Sequence, residues 1–278
     1  MGFSMAGQLA RAGYVVLISD PVAARCEQWR EQYGEQAVAN VADTDNVANT
    51  ADVIIICVTD HHADAALLLG PSGLLGNAQA GQLFIDHTTT SPQFARASAR
   101  LARARRALWV DAPISGSALG AQTNTLSTFV GGSIDAVRMA RPILAIYSNC
   151  VTHLGEAGCG QAGKLANQLA IAGTVRGLAE AVVLARANEV PLPALFDALC
   201  AGSAHSRQLD QHRDKLIASE FEFSKAFDWL YKDLELARAA VVKSMPLADL
   251  ISSQLATVDS VHNIHSIHNG SDGAGGAP

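Results

Sequence analysis

Met1-Gly2-Phe3-Ser4-Met5-Ala6-Gly7-Gln8-Leu9-Ala10-Arg11-Ala12-Gly13, followed by Tyr14-Val15-Val16-Leu17-Ile18-Ser19-Asp20, is the stretch that decides the fold. Phe3 to Ala12 reads as a short amphipathic helix, and Gly13 stops it as a left-handed C-terminal residue does. Tyr14 to Ser19 is a β-branched apolar run of strand length, closed by Asp20. A helix entered at a glycine and followed by such a strand is the second half of a dinucleotide-binding βαβ unit. In that unit a preceding strand and two earlier glycines bring the backbone close to a pyrophosphate at the helix N-terminus. Only Gly2, the last glycine of the turn, is present. The chain as written is therefore expected to open inside its own cofactor site, with the first strand missing.

Working outward, Asp52-Val53-Ile54-Ile55-Ile56-Cys57-Val58 is almost wholly apolar, as a strand buried on both faces should be. Leu83 to Asp86, Ala107 to Asp111 and Ser127 to Val130 follow as further strands, with helical stretches between them. The pattern predicts an α/β, doubly wound parallel sheet of the Rossmann type. After His153 the character changes. A long Ala- and Leu-rich helix is expected from about Gly160 to Asn188; at 1.5 Å per residue it reaches roughly 40 Å, enough to join two domains. Helices are expected at about Pro193–Ala201, Ser206–Ala218, Lys225–Lys243 and Leu247–Val258, with no β pattern. The expected organisation is a dinucleotide-binding domain over 1–152, an all-α domain over 153–258, and a disordered polar tail over 259–278.

Composition narrows the function. The chain has 278 residues, 49% apolar and 17% charged, and a formal net charge of −6. That suits a sizeable core and gives no reason to expect a nucleic-acid partner. The one basic cluster, Arg96, Arg100, Arg103, Arg105 and Arg106, falls on a helix after Pro92 and is read as a solvated face. Five cysteines without CxxC spacing read as reduced thiols in a cytoplasmic setting. No signal peptide and no apolar run of membrane-spanning length is recognised, so no membrane is expected. The tail histidines His262, His265 and His268 belong to the polar tail, and no metal site is expected.

Four segments carry residues suited to chemistry. Asp20 ends its strand where an acidic residue binds the adenosine ribose hydroxyls of NAD, although Asp-Pro also favours a plain turn. Arg25 could instead meet the 2′-phosphate of NADP. Asp111-Ala112-Pro113-Ile114-Ser115-Gly116-Ser117 leaves the carboxyl end of a strand, where open α/β sheets bind ligands. Its Ser-Gly-Ser can aim amides and hydroxyls at a carboxylate, or simply form a turn. In Gly158-Cys159-Gly160-Gln161-Ala162-Gly163-Lys164-Leu165-Ala166-Asn167-Gln168, glycines open the long helix, so backbone can approach a ligand. Lys164 and Asn167 share one face there, and a lysine so placed can exchange a proton with a carbonyl or alcohol oxygen. Lys232-Asp233-Leu234 lies within a helix, and periodicity alone puts Lys232 and Asp233 on its surface.

Taken in order, these segments resemble the β-hydroxyacid dehydrogenase family, which includes 3-hydroxyisobutyrate dehydrogenase, tartronate semialdehyde reductase and, more distantly, 6-phosphogluconate dehydrogenase. Met1-Gly2 is similar to the end of the GxGxMG turn. Asp86-His87-Thr88-Thr89-Thr90-Ser91-Pro92 is similar to the D-x-S-T-x-x-P segment, which implies that Thr89 contacts the cofactor. Asp111 to Gly116 resembles the DAPVSG loop, which implies that Ser115, Gly116 and Ser117 hold the substrate carboxylate. Lys164 to Gln168 resembles K-x-x-N-[NQ], with Lys164 as proton donor and acceptor and Asn167 orienting the same oxygen or the carboxylate. Lys232-Asp233-Leu234 resembles the KDL motif, whose lysine reaches the active site, toward substrate and cofactor. The implied fold is a Rossmann domain joined by a long helix to an all-α domain, with the site in the cleft between them and a homodimer or homotetramer as the assembly. The implied reaction is hydride transfer between NAD(H), less readily NADP(H), and a short hydroxy acid. The Lys-Leu-Ala-Asn-Gln wording leans towards tartronate semialdehyde or glycerate-like substrates.

The chain departs from that pattern at Val58-Thr59-Asp60, where a proline is usual in the middle, and at Asn124-Thr125-Leu126 in place of Gly-Thr-Leu. The expected C-terminal G-x-G-x-x-D-x-S-A segment does not appear. Two functional readings follow: an active dehydrogenase, or a catalytically silent truncated remnant or interaction module that keeps the fold, which the loss of the Gly-x-Gly turn favours. Retention of Lys164, Asn167, Ser115 and Lys232 favours the first.

Overall fold

The computed structural model describes residues 1–34, 49–218, 223–251 and 253. The tail from 259 lies outside them, as does most of the helix expected at Leu247–Val258, of which 246–251 is helical. The chain divides into two compact units, Met1–Lys164 and Leu165–Pro278.

Within the first unit the order is α1 (Gly2–Arg11), α2 (Ala23–Tyr33), β1 (Val53–Ile56), α3 (His61–Leu69), β2 (Leu83–Asp86), α4 (Pro92–Ala104), β3 (Leu108–Asp111), β4 (Ile114–Ser115), α5 (Ala118–Gln122), β5 (Leu126–Gly132), α6 (Ile134–Leu144) and β6 (Ser148–Gly155). The strands form one sheet in the order β1-β2-β3-β5-β4, with β6 on β5. β1, β2 and β3 are parallel, with Val53 beside Leu83 and Leu83 beside Leu108. β5 runs antiparallel to β3 and β4 and parallel to β6. A returning antiparallel strand needs only a short connection, and the five residues of α5 and their flanking turns provide it.

The apolar strands are covered on both faces because successive side chains point to opposite sides. Leu83, Ile85 and Val110 pack under Met5 and Leu9 of α1 and Val137, Ala140 and Leu144 of α6. Ile54, Ile56, Phe84 and Trp109 pack on the other side under Leu68 of α3 and Ala102 of α4. Phe84 is fully buried, and burial of such a side chain stabilises by about 1.5–3 kcal/mol. Two of the sequence departures contain residues with a local structural role. Asp60 caps α3, its Oδ1 accepting the amides of His62 at 2.9 Å and Ala63 at 3.0 Å. Asn124 adopts φ +54°, a left-handed conformation that Asn tolerates nearly as glycine does.

Gly13 ends α1 with φ +87° as expected, but the strand expected at Tyr14–Ser19 does not form. Among the described residues it shows a single bridge, at Ile18, and Val15 is 75% exposed. Val16 and Ile18 instead pack against the cluster formed by Ala10 of α1 and Trp29 and Tyr33 of α2. A β-branched run becomes a strand only when a neighbour pairs with it, and β1 pairs only β2 among the described residues. The α1–α2 contact is close. A Cβ at Gly7 would lie 2.3 Å from the Tyr33 ring, and Trp29 Nε1 donates to the Phe3 carbonyl at 3.1 Å.

α7 (Cys159–Ala187) begins in the first unit and continues into the second. Contrary to the sequence expectation, it is long and apolar enough by composition to cross a membrane, with a mean hydropathy of 1.4 over its best window. That apolarity comes from Ala mixed with Leu, Ile and Val; several of the larger side chains fill protein cores, while Val183 and Leu184 are exposed. Ala172 and Val175 pack with Leu230 and Leu234, and Leu178 and Val182 with Phe196, Leu209 and Leu216. Those partners lie on α8 (Leu192–Ala201), α9 (Arg207–Ile217) and α10 (Phe223–Ala239), and no strand occurs in this unit among the described residues. The five cysteines are free thiols, and the five arginines of the basic cluster are all exposed.

Candidate active site

β3 ends on Asp111, which is fully buried. Its Oδ1 accepts the amide of Gly158 at 2.8 Å and its Oδ2 the amide of Gln161 at 2.9 Å. Helix-start amides lack intrahelical carbonyls, so a carboxylate from another strand caps α7. Burial raises the Asp111 pKa, and the Gly158 and Gln161 amides work against that rise. The glycines of this stretch serve the same junction. A Cβ at Gly160 would lie 2.5 Å from the Asp111 carbonyl and 2.6 Å from that of Phe129; one at Gly131 would lie 2.6 Å from the Gly160 nitrogen. The close approach that the sequence offered to a ligand is thus, at Gly160, an approach to β3 and β5.

The fully buried Gln161 side chain reaches the 88–90 loop. Its Nε2 donates to the Thr88 carbonyl at 2.7 Å, and its Oε1 accepts the Thr90 amide at 3.0 Å. Thr89, half-buried, lies between those two contacts. The loop is further held by Thr88 N donating to Asp86 Oδ1 at 2.9 Å and by Val58 N donating to Thr88 Oγ1 at 3.3 Å. His87 is buried beneath it. Its Nδ1 lies 2.6 Å from the Ala112 carbonyl, which can only accept, so that nitrogen carries the proton. Nε2 then accepts from the Tyr147 hydroxyl at 2.9 Å. Burial lowers the His87 pKa to about 4 and raises that of Tyr147.

Ser115 is half-buried at the end of β4, opposite Ser127. Gly116 takes φ +136°, where a side chain would be strained and would also meet Leu126. Ser117 is exposed, and its Oγ accepts the Gly120 amide at 3.2 Å as the cap of α5. Its acceptor capacity is thereby partly committed to the fold.

Lys164 lies on α7 one turn beyond Gln161 and is 7% exposed. Asn167 follows three residues later, its Nδ2 donating to Gln168 Oε1 at 3.1 Å. In the second unit Gln168 Nε2 donates to Asp233 Oδ2 at 2.7 Å, and Lys232 Nζ lies 3.1 Å from Asp233 Oδ1. Asp233 is only 4% exposed, which corrects its assignment to the helix surface. A buried glutamine partner makes this possible, and helical periodicity carries no sign of such a partner. The Lys232 side chain, 45% exposed, does reach solvent.

The α1 end of the site suits a dinucleotide. Among the described residues no side chain caps α1, and Gly2 stands at the carboxyl end of β1, where a Cβ would lie 3.5 Å from that of Cys57. A helix start at that place fits a diphosphate. Burial pushes the Cys57 thiol up, keeping it neutral beside that position. Asp20 accepts the Val22 amide at 2.8 Å and stands 3.7 Å from Arg25. The two residues that the sequence offered as alternatives for NAD and NADP are thus neighbours. Gln161, His87 and Tyr147 were not anticipated as parts of this region. The only sequence signal for Gln161 is its place between the helix-opening glycines and Lys164.

Known proteins match the chain along both units. Residues 1–155 match the model of the NAD-binding domain of 6-phosphogluconate dehydrogenase, and residues 158–266 the model described as NAD-binding of NADP-dependent 3-hydroxyisobutyrate dehydrogenase. An uncharacterized oxidoreductase of Shewanella frigidimarina is 31% identical over 94% of this chain and 90% of its own length. A probable mitochondrial 3-hydroxyisobutyrate dehydrogenase-like protein of Arabidopsis thaliana is 33% identical over 84% of this chain and 69% of its own length. The solved structure of Mycobacterium tuberculosis 3-hydroxyisobutyrate dehydrogenase with L-serine superposes with a TM-score of 0.80 at 29% identity, covering 94% of this chain and 90% of that one. With an NAD(P)-binding domain, a helical second unit and these relatives, the chain belongs to the β-hydroxyacid dehydrogenase family of NAD(P)-dependent oxidoreductases.

Proposed function

We propose that this dehydrogenase interconverts a short 3-hydroxy acid and its semialdehyde, using NAD in preference to NADP, with Lys164 as the proton carrier. The observation that carries this reading is a nearly buried lysine one turn into a helix whose start is fixed by Asp111. A bound nicotinamide dinucleotide supplies or accepts the hydride at the hydroxyl-bearing carbon. In oxidation the neutral Lys164 Nζ takes the proton of the substrate hydroxyl, and in reduction the ammonium returns it to the carbonyl oxygen. Asn167 orients that oxygen by donating from its side-chain amide. Ser115 and the Gly116 amide hold the substrate carboxylate. The size of the substrate is inferred from the relatives, which include 3-hydroxyisobutyrate dehydrogenase and a structure holding L-serine.

The test is absorbance of the reduced nicotinamide with a panel of short 3-hydroxy acids and their semialdehydes, for the parent and Lys164→Ala. Turnover should fall by about 100- to 10,000-fold in the variant, the usual range for a positioned acid–base group, with cofactor affinity unchanged. Turnover of Lys164→Ala within a few-fold of the parent would remove Lys164 from the reaction.

A further inference from the structure

We propose that Gln161 is a positioning residue, the side chain that holds the Thr89 loop in register with the Lys164 helix. This rests on the function proposed above and extends it to a residue that does not itself touch substrate.

Three contacts carry the inference. The backbone nitrogen of Gln161 donates to Asp111 Oδ2 at 2.9 Å, tying α7 to the end of β3, from which the Ser115 loop departs. Its side chain grips the loop on either side of Thr89, donating to the Thr88 carbonyl at 2.7 Å and accepting the Thr90 amide at 3.0 Å. Lys164 stands three residues further along the same helix, so Gln161 and Lys164 share a face. One residue therefore joins three segments: the one bearing the carboxylate-binding candidates, the one bearing the cofactor-contacting candidate, and the one bearing the proton carrier.

The chemistry of the grip is narrow. A primary amide presents a donor and an acceptor on one planar carbon, which matches a backbone carbonyl and amide two residues apart. Asparagine has the same head group but is one methylene too short. Methionine has similar bulk but supplies no donor, and leaves two buried backbone groups unpaired. A shift of about 1 Å between reacting groups can cost on the order of 100-fold in rate, so a loosened loop is read out in the chemistry as well as in stability.

Glutamate distinguishes positioning from mere packing. Protonated, its carboxyl group donates to Thr88 and accepts from Thr90; ionised, it turns a lone pair towards the Thr88 carbonyl. Charged or titratable groups around it are Asp111 from β3, Asp86 from the end of β2, His87 from the loop, Arg96 of α4 beside Gly158, and Lys164 on its own helix. Full burial of the position favours the protonated form, which should be regained as pH falls.

The experiment measures NAD(H) affinity by calorimetry, kcat for the best hydroxy acid, and Tm, on the full chain of the parent, Gln161→Met and Gln161→Glu, at about pH 5.5 and about pH 8, either side of a raised carboxyl pKa. Gln161→Met should lose about 10- to 100-fold in kcat, the range expected of misplaced reacting groups, and should bind cofactor more weakly, with Tm still above the assay temperature. Gln161→Glu should approach the parent at the lower pH and match Gln161→Met at the higher one. Parent-like kcat and affinity in Gln161→Met overturn the proposal. Should that variant not fold, a constant ratio of Gln161→Glu to parent kcat across the two pH values overturns it. A parent that neither binds the cofactor nor turns over any hydroxy acid refutes the underlying function, and the positioning role falls with it.

Discussion

The carboxylate of Asp111, at the end of β3, accepts the amide of Gly158 at 2.8 Å, just ahead of α7. With the second bond from Gln161 it satisfies two helix-start amides that no intrahelical carbonyl reaches. In Asp111→Asn one acceptor oxygen becomes an NH2 group facing a buried N–H. Leaving a buried donor unpaired costs about 1–3 kcal/mol. A chain of this size loses about 2–4 °C in Tm per kcal/mol, so calorimetry should show a drop of several degrees together with loss of turnover. A Tm equal to the parent's would mean that the helix start is held by something else.

His87 gives the fold an acid limit. Its folded pKa of about 4 lies below the ordinary 6.5 because burial opposes the charged ring, while Nδ1–H is held by the Ala112 carbonyl. The unfolded chain therefore binds the extra proton first. The contribution is fully present above 6.5 and is lost as pH falls towards 4. The difference corresponds to on the order of 3 kcal/mol. His87→Gln, whose amide can still donate to Ala112, should show a flatter decline of Tm between pH 6.5 and 4. An unchanged acid slope would place the loss elsewhere.

Asp64 of α3 and Asp86 of β2 act in the opposite direction. Both are fully buried, they interact with each other, and Asp64 finds no donor for either oxygen among the described residues. Asp86 keeps only the Thr88 donors and Asp64 none, so the two adjacent buried carboxyl groups are best satisfied by sharing a proton. Burial raises both, Asp64 to about 7. A carboxyl with a raised folded pKa stabilises most below its unfolded value of 3.8, and that contribution is lost as pH rises towards 7. Asp64→Asn, which keeps a donor for Asp86 and carries no charge, should raise Tm at pH 8 and leave it nearly unchanged near pH 4. A lower Tm at pH 8 would show that the ionised pair is tolerated.

What the sequence revealed and what it hid divide along physical lines. The runs at Val53–Ile56 and Leu83–Asp86 are legible because a strand covered on both faces must be apolar throughout, and the Gly-opened long helix is legible from its composition. The strand expected at Tyr14–Ser19 fails because pairing is a property of two segments. β6 escaped because Ser148–Gly155 is largely exposed and polar, so it offers no hydrophobic run. Lys164 and Thr89 stood out through short motifs, whereas Gln161 and Asp111 act through bonds to loops distant in sequence. The burial of Asp233 depends on Gln168, which lies on another helix.

Asp20 should make the enzyme prefer NAD. Its carboxylate is oriented by the Val22 amide and stands after the 14–19 segment, where it can accept both adenosine ribose hydroxyls. A 2′-phosphate placed there would meet that negative charge at short range. Arg25 is the counterweight, since its guanidinium lies 3.7 Å from Asp20 and its side chain is 64% exposed. An exposed pair of this kind is weak, worth roughly 0–1 kcal/mol, so Arg25 can leave Asp20 at little cost. The carboxylate is held more firmly, because it accepts the Val22 N–H. Asp20→Ser should therefore remove the repulsion and let Arg25 serve NADP, shifting the ratio of kcat/KM values towards NADP by about 10-fold or more, the equivalent of one lost unfavourable charge contact of about 1.4 kcal/mol. The measurement is kcat/KM with each cofactor for parent and variant under identical salt. A parent that already favours NADP would show that Arg25, not Asp20, sets the preference.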